Sequence, residues 1–143
     1  FGDGTASTES SPHHTFPDDG TYKVSLTVTD NDGATSAAYT KQITVANALP
    51  VAEFELPTGV HAGDPVTFHD QSYDKSPSGG IVHVAWDFGD GTFCPGSVDG
   101  CDGGDTHSPL HTYTAPGTYT VSLVVIDDDG ALATVSHTIS VAK

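Results

Sequence analysis

Two blocks of this chain repeat each other, and the repeat constrains the fold more than any other feature. Phe1-Gly2-Asp3-Gly4-Thr5 returns as Phe88-Gly89-Asp90-Gly91-Thr92, 87 residues on. His14-Thr15-Phe16 and Gly20-Thr21-Tyr22 return as His111-Thr112-Tyr113 and Gly117-Thr118-Tyr119, 97 residues on. An ordered repeat of this kind is one supersecondary unit used twice. The change of offset places ten extra residues in the second copy, within 93–110. Beyond these blocks Asp30-Asn31-Asp32-Gly33-Ala34 matches Asp127-Asp128-Asp129-Gly130-Ala131, and Ile43-Thr44-Val45-Ala46 matches Ile139-Ser140-Val141-Ala142.

Inside each copy the apolar period is two. Tyr119, Val121, Leu123 and Val125 share one face, as do Tyr22, Val24, Leu26 and Val28, with polar residues between them. That alternation predicts half-buried strands rather than helices. Each is stopped by an acidic turn whose glycine, Gly33 or Gly130, supplies the positive φ of a tight hairpin. Residues 35–45 and 132–141 then form the returning strands. Further strand candidates lie at 51–56, 65–69 and 81–88, all in front of the second copy. The expectation is therefore all-β, with immunoglobulin-like β-sandwich modules in tandem: 1–46 as the C-terminal part of one and 47–143 as a complete second. The joint around Asn47 ends in Pro50, which holds the residue before it extended and makes the link stiff.

The chain has 143 residues, four Lys, no Arg and 19 carboxylates, for a formal charge of −15. Nucleic acid is excluded as a partner, because phosphate binding needs clustered Lys and Arg. Anionic membrane surfaces are repelled by the same charge, and no stretch approaches the 18 or so apolar residues of a membrane span. With 16 Gly and 9 Pro, many short strands and turns are favoured over helices.

Among the chemistry-bearing residues, most read as structural. Trp86 and Phe88, in phase with Val84, read as core together with Tyr119, Val121 and Leu123, although an exposed strand aromatic could also stack on a sugar. Asp3 and Asp90, each between two glycines, read as carboxylates capping their own turn amides. The eight histidines show no metal-site spacing, and His14 and His111 read as structural hydrogen-bonding groups within the repeat. No catalytic constellation is apparent, so the chain is not expected to be an enzyme. Cys94 and Cys101 are the only cysteines and lie in the inserted, Gly-rich segment. They predict a disulfide and an oxidising compartment, against the alternatives of two free thiols or a metal pair.

Trp86-Asp87-Phe88-Gly89-Asp90-Gly91-Thr92, then His111-Thr112-Tyr113, Gly117-Thr118-Tyr119 and Asp127-Asp128-Asp129-Gly130-Ala131, together resemble the polycystic kidney disease (PKD) domain pattern over essentially the whole chain. That resemblance implies a seven-stranded sandwich serving as a spacer or binding module in extracellular, secreted or cell-surface proteins. Collagenase-type modules, to which it is similar, hold calcium at one pole with an Asn at the module start and Ser and Asp before the tryptophan strand. Asn47, Ser72 and Asp74 match in order, and the fold would bring the Asp127 to Asp129 turn to the same pole, so Asn47, Ser72, Asp74, Asp127 and Asp129 form the expected calcium set. An Asp-Gly expected downstream is replaced here by Ser76-Pro77-Ser78-Gly79-Gly80, which implies weak affinity.

The function so implied is a non-catalytic structural or adhesion module, a stiff spacer or assembly unit. Its partners would be neighbouring modules or subunits of the same protein, including by strand donation to the first module. The alternative is an accessory module of a secreted hydrolase that binds polysaccharide or collagen.

Overall fold

The computed structural model describes residues 1–76, 79–95 and 105–143. All regular structure among them is strand. The described chain falls into two compact units, Phe1–Ala48 with Ser76, and Leu49–Lys75 with Gly79–Lys143. The second opens where the chain first finds a partner of its own, with the Val51 amide donating to the Tyr73 carbonyl at 2.8 Å.

In the first unit, β1 (Gly20–Leu26) and β2 (Tyr39–Val45) form a two-stranded antiparallel hairpin, with Tyr22 opposite Ile43 and Leu26 opposite Tyr39. Its acidic turn closes through the Asp30 carboxylate, which accepts from the amides of Asp32 and Ala34 at 3.0 and 2.8 Å. Gly33 has φ 85°, a conformation only glycine adopts without strain. An isolated Thr29–Thr35 bridge lies one residue out of step with the main ladder. The residue causing that slip lies at 36–38, where the first copy is one residue longer than the second. The returning strand accordingly begins at Tyr39 and not at residue 35.

The second unit is a two-layer β-sandwich. One layer is a four-stranded sheet in the order β10-β9-β6-β7, made of Leu132–Val141, Gly117–Asp127, Ile81–Asp87 and Phe93–Cys94. The other is assembled from two short pairs, β3 (Phe54–Glu55) with β5 (His69–Asp70) and β4 (Pro65–Thr67) with β8 (Leu110–Thr112). Period-two alternation on β9 turns Val121, Leu123 and Val125 inward, each with no exposed surface. Trp86 opposes Leu123 and Val84 opposes Val125 across the β6–β9 ladder. Phe54 and Phe68 of the facing layer meet the Trp86 ring at centroid distances of 5.0 and 5.7 Å. Burial of this aromatic cluster is the main favourable contribution to the unit's stability. The indole N–H is satisfied by the Thr106 carbonyl at 2.8 Å.

Of the residues read as core from the sequence, Trp86, Phe88, Val121 and Leu123 are buried, whereas Tyr119 is partly buried and packs against them. Cys94 is fully buried on β7, and Cys101, its expected partner, lies outside the described residues.

Candidate functional site

The repeated blocks fold into the same device in both units. In the second, the Phe88 amide donates to the Thr92 carbonyl, and Asp90 Oδ1 accepts from the Thr92 amide at 3.1 Å and the Thr92 hydroxyl at 2.5 Å. The other carboxylate oxygen lies 2.9 Å from His111 Nε2. That imidazole is stacked on Phe88 at 4.1 Å with 3° between planes, meets Tyr113 edge-on at 4.5 Å, and Tyr113 in turn stacks on Tyr119 at 4.4 Å. In the first unit Asp3, Thr5, His14, Phe1, Phe16 and Tyr22 repeat every one of these contacts, with His14 Nε2 2.6 Å from Asp3 Oδ2. Gly89 has φ 78°, and a Cβ there would strike the Thr120 backbone. At Gly2, φ 97°, it would lie 2.8 Å from the backbone of Lys23. These glycines let the turn lie directly on the following strand.

The electrostatics match a clamp. Hydrogen bonds from the Thr5 hydroxyl and amide, with His14 behind them, hold the Asp3 carboxyl well below the usual carboxylate range. At Asp90 burial pushes the other way, but the Thr92 hydroxyl and amide together with His111 outweigh it and the net shift is downward. Burial, aided by the Asp90 charge, pushes the Tyr113 phenol above its ordinary value. His111 is buried and covered by rings on one face and one edge, so the pair ties a turn to a strand and its imidazole is withdrawn from solvent.

At the acidic turn of the second unit, Asp127 is buried and its Oδ1 accepts from the Ala131 amide at 2.6 Å, while Asp128 Oδ1 accepts from the Gly80 amide at 3.0 Å. Ser72 is engaged with Glu53, accepting from its amide at 3.0 Å and donating to its carbonyl at 3.3 Å. Asp74 is partly buried and Asp129 exposed in this unit, whereas Asn47 belongs to the first unit. Among the described residues, no three carboxylate, imidazole or thiol ligand atoms of a single unit lie within 4.8 Å of one another. The expected calcium donors thus fit in part. The Ser72 hydroxyl spends hydrogen-bonding capacity on the Glu53 backbone and Asp127 on its own turn, and a hard cation there would lean on single carboxylates and carbonyl oxygens.

The outer face of the four-stranded sheet carries a different chemistry, which sequence reasoning passed over. Register aligns Ser136, Ser122, Asp87 and Phe93 in one row across β10, β9, β6 and β7. The Phe93 ring is 61% exposed, and the two serine hydroxyls are linked at 2.9 Å. A second row sets Leu132 against Ile126 and His83, with Leu132 56% exposed. The first row thus has an aromatic ring at one end, a carboxylate beside it and hydroxyls beyond. The only signal in the sequence was phase: these residues alternate with the buried ones.

The family profile for the PKD domain matches residues 1–45 and 47–142. The chain belongs to the PKD domain family. Among curated proteins it is 31% identical over 121 residues to a microbial collagenase of Vibrio alginolyticus, covering 85% of this chain and 14% of that protein. It is also 31% identical over 137 residues to the pre-pro-metalloprotease PrtV of Vibrio cholerae, covering 95% of the chain and 13% of that protein. The PKD chain thus spans about one seventh of these relatives. Among solved structures, the PKD1 domain of Vibrio anguillarum Epp superimposes with TM-score 0.55 at 37% identity, covering 68% of this chain and 98% of that one. A structure of carbohydrate-binding modules from the β-sandwich superfamily gives TM-score 0.58 at 32% identity, covering 69% and 36%. The all-β, sandwich reading of the PKD chain is what these neighbours share.

Proposed function

We propose that this PKD pair is a non-catalytic accessory part of an extracellular hydrolase and that it holds polymeric substrate on the outer face of its second unit. The observation that carries the reading is the Phe93–Asp87–Ser122–Ser136 row, supported by the match of this chain to a portion of a collagenase and of a metalloprotease. Collagen is the substrate this chemistry fits best. Its chains are polyproline-II-like and rich in prolyl rings, and proline-rich segments of that conformation are recognised by aromatic side chains. Asp87 offers a carboxylate to Lys or Arg side chains along the fibre, and the serines offer hydrogen bonds to its carbonyl groups. Co-sedimentation of the 143-residue chain with insoluble collagen, chitin and cellulose tests the choice. Retention on collagen alone is expected, retention on a polysaccharide alone transfers the same face to a glycan, and retention on none overturns the reading.

A second reading, a spacer or assembly unit joined to neighbouring modules, is supported by the tandem repeat itself. It calls for no affinity toward any polymer. Calcium belongs to either reading as a proposed stiffener of the acidic loops around Asp74 and the Asp127 to Asp129 turn, favoured by the net charge of −15, which a bound divalent cation relieves.

A further inference from the structure

The row on the outer face of the second unit runs across the strands, so the sheet itself sets the spacing of its residues. Neighbouring strands lie about 4.8 Å apart, whereas residues on one face of one strand recur about every 6.7 Å. Phe93 on β7 and Ser122 on β9 stand two strands apart on one register line, with Asp87 of β6 between them. Strand spacing puts these two about 9.6 Å apart. Ser136 on β10 continues the line by one more strand, to about 14 Å from Phe93.

A polyproline-II chain turns the same side toward a surface at every third residue, a repeat of about 9.3 Å. Two strand spacings match that repeat, and the same-face spacing along a strand does not. The direction of a bound chain is constrained a second way. β7 spans only Phe93–Cys94, and Cys94 is buried, so a polymer following that strand would meet the Phe93 ring and no other outward residue of it. A polymer laid across the strands passes Phe93, Asp87, Ser122 and Ser136 in turn. Local bonds hold the row in place: Asp87 Oδ1 accepts from the Gly89 amide at 2.9 Å, and the Ser122 and Ser136 hydroxyls are linked at 2.9 Å.

We infer that the polymer crosses the strands at about right angles, with residues one polyproline-II turn apart seated on Phe93 and Ser122. This rests on the collagen reading above and adds to it the direction and register of the bound chain. Every third residue of that chain then meets the face in the same way, as a Gly-X-Y repeat allows. Asp87 lies half a turn from either contact, where a Lys or Arg side chain from an intervening position reaches its carboxylate.

The test places a second ring on the row and follows an NMR titration of the labelled 143-residue chain with a capped oligoproline of about four turns. Ser122→Tyr and Ser136→Tyr each remove the same serine pair, and tyrosine suits a strand. Ser122→Tyr should tighten binding at least about fivefold, and Ser136→Tyr, one and a half turns from Phe93, by less than about twofold. In a Phe93→Ala background the two replacements should no longer differ. With the unmodified chain, the shifts should follow the row from Phe93 to Ser136 and not spread along β9 to Thr118. Equal gains, a larger gain at Ser136, a difference that survives the loss of Phe93, or shifts running along β9 would overturn the inference while the collagen reading stands. So would binding to collagen without binding to oligoproline. An unmodified chain that binds neither would overturn both.

Discussion

His111 Nε2 lies 2.9 Å from Asp90 Oδ2, and this one contact ties the Gly-Asp-Gly turn of the second unit to the aromatic ladder beneath it. Asp90→Asn keeps the shape but removes the charge that Thr92 and His111 address. A loss of about 1–2 kcal/mol is expected from weakened charge-assisted bonds. The pH dependence has a definite sign. The folded carboxyl titrates below the ordinary carboxylate range, so its contribution is fully present above that range and is lost as pH falls through the lower, folded value. Urea unfolding from pH 2 to 6 should show a shallower acid limb in the variant; identical limbs would remove Asp90 from the stability account.

Gly89 and Gly91 flank the same aspartate and both have positive φ, 78° and 93°, but only Gly89 faces the Thr120 backbone, while nothing lies within 4 Å of a Cβ on Gly91. Gly91→Ala should therefore cost only the conformational penalty, about 1 kcal/mol. Gly89→Ala must also push β9 away from the turn and should cost about 3 kcal/mol or more. Denaturation midpoints of the two variants check the ranking, and equal losses would contradict it.

Cys94 sits fully buried on β7, and its expected bond to Cys101 closes a short loop. Mass spectrometry of the native chain with alkylating agent should find no reactive thiol. Reduction should lower stability by about 2–3 kcal/mol at most while the sandwich persists. Two alkylated cysteines without reductant would rule the bond out.

Calcium at millimolar concentration should raise the melting temperature of the second unit relative to chelator, more so at low ionic strength. The Asp74→Asn variant should lose most of that increment. A rise that survives in Asp74→Asn, or that magnesium reproduces in full, would assign the effect to general screening of the acidic surface.

The parts of the fold that were legible in the sequence are those in which a long strand declares its own phase. β9 and β10 show eleven and ten residues of alternation, and the acidic turns between them carry an obligatory glycine. β3, β5, β7 and β8 are two or three residues long, too short to show any period, and exist only because a partner lies beside them. Residues 13–15 make the point: the block that is strand at Leu110–Thr112 is not strand there, where none of the described residues pairs with it. Asp127 illustrates the converse for the site. The sequence placed it at a sandwich pole among expected calcium donors, while the bond its carboxylate accepts from the Ala131 amide across its own hairpin turn carries no sequence signal. The outer row from Ser136 to Phe93 was hidden because polar residues in the solvent phase of a strand look the same whether or not they bind anything.

Replacement of one exposed ring tests the account most directly. Phe93 contributes to a surface and not to the core, so Phe93→Ala should leave the melting temperature within about 1–2 °C. Its dissociation constant for fibrillar collagen, measured by co-sedimentation of the whole chain, should rise about tenfold or more, as loss of an aromatic anchor does. Unchanged collagen affinity in a folded Phe93→Ala chain would contradict the assignment of substrate binding to this face.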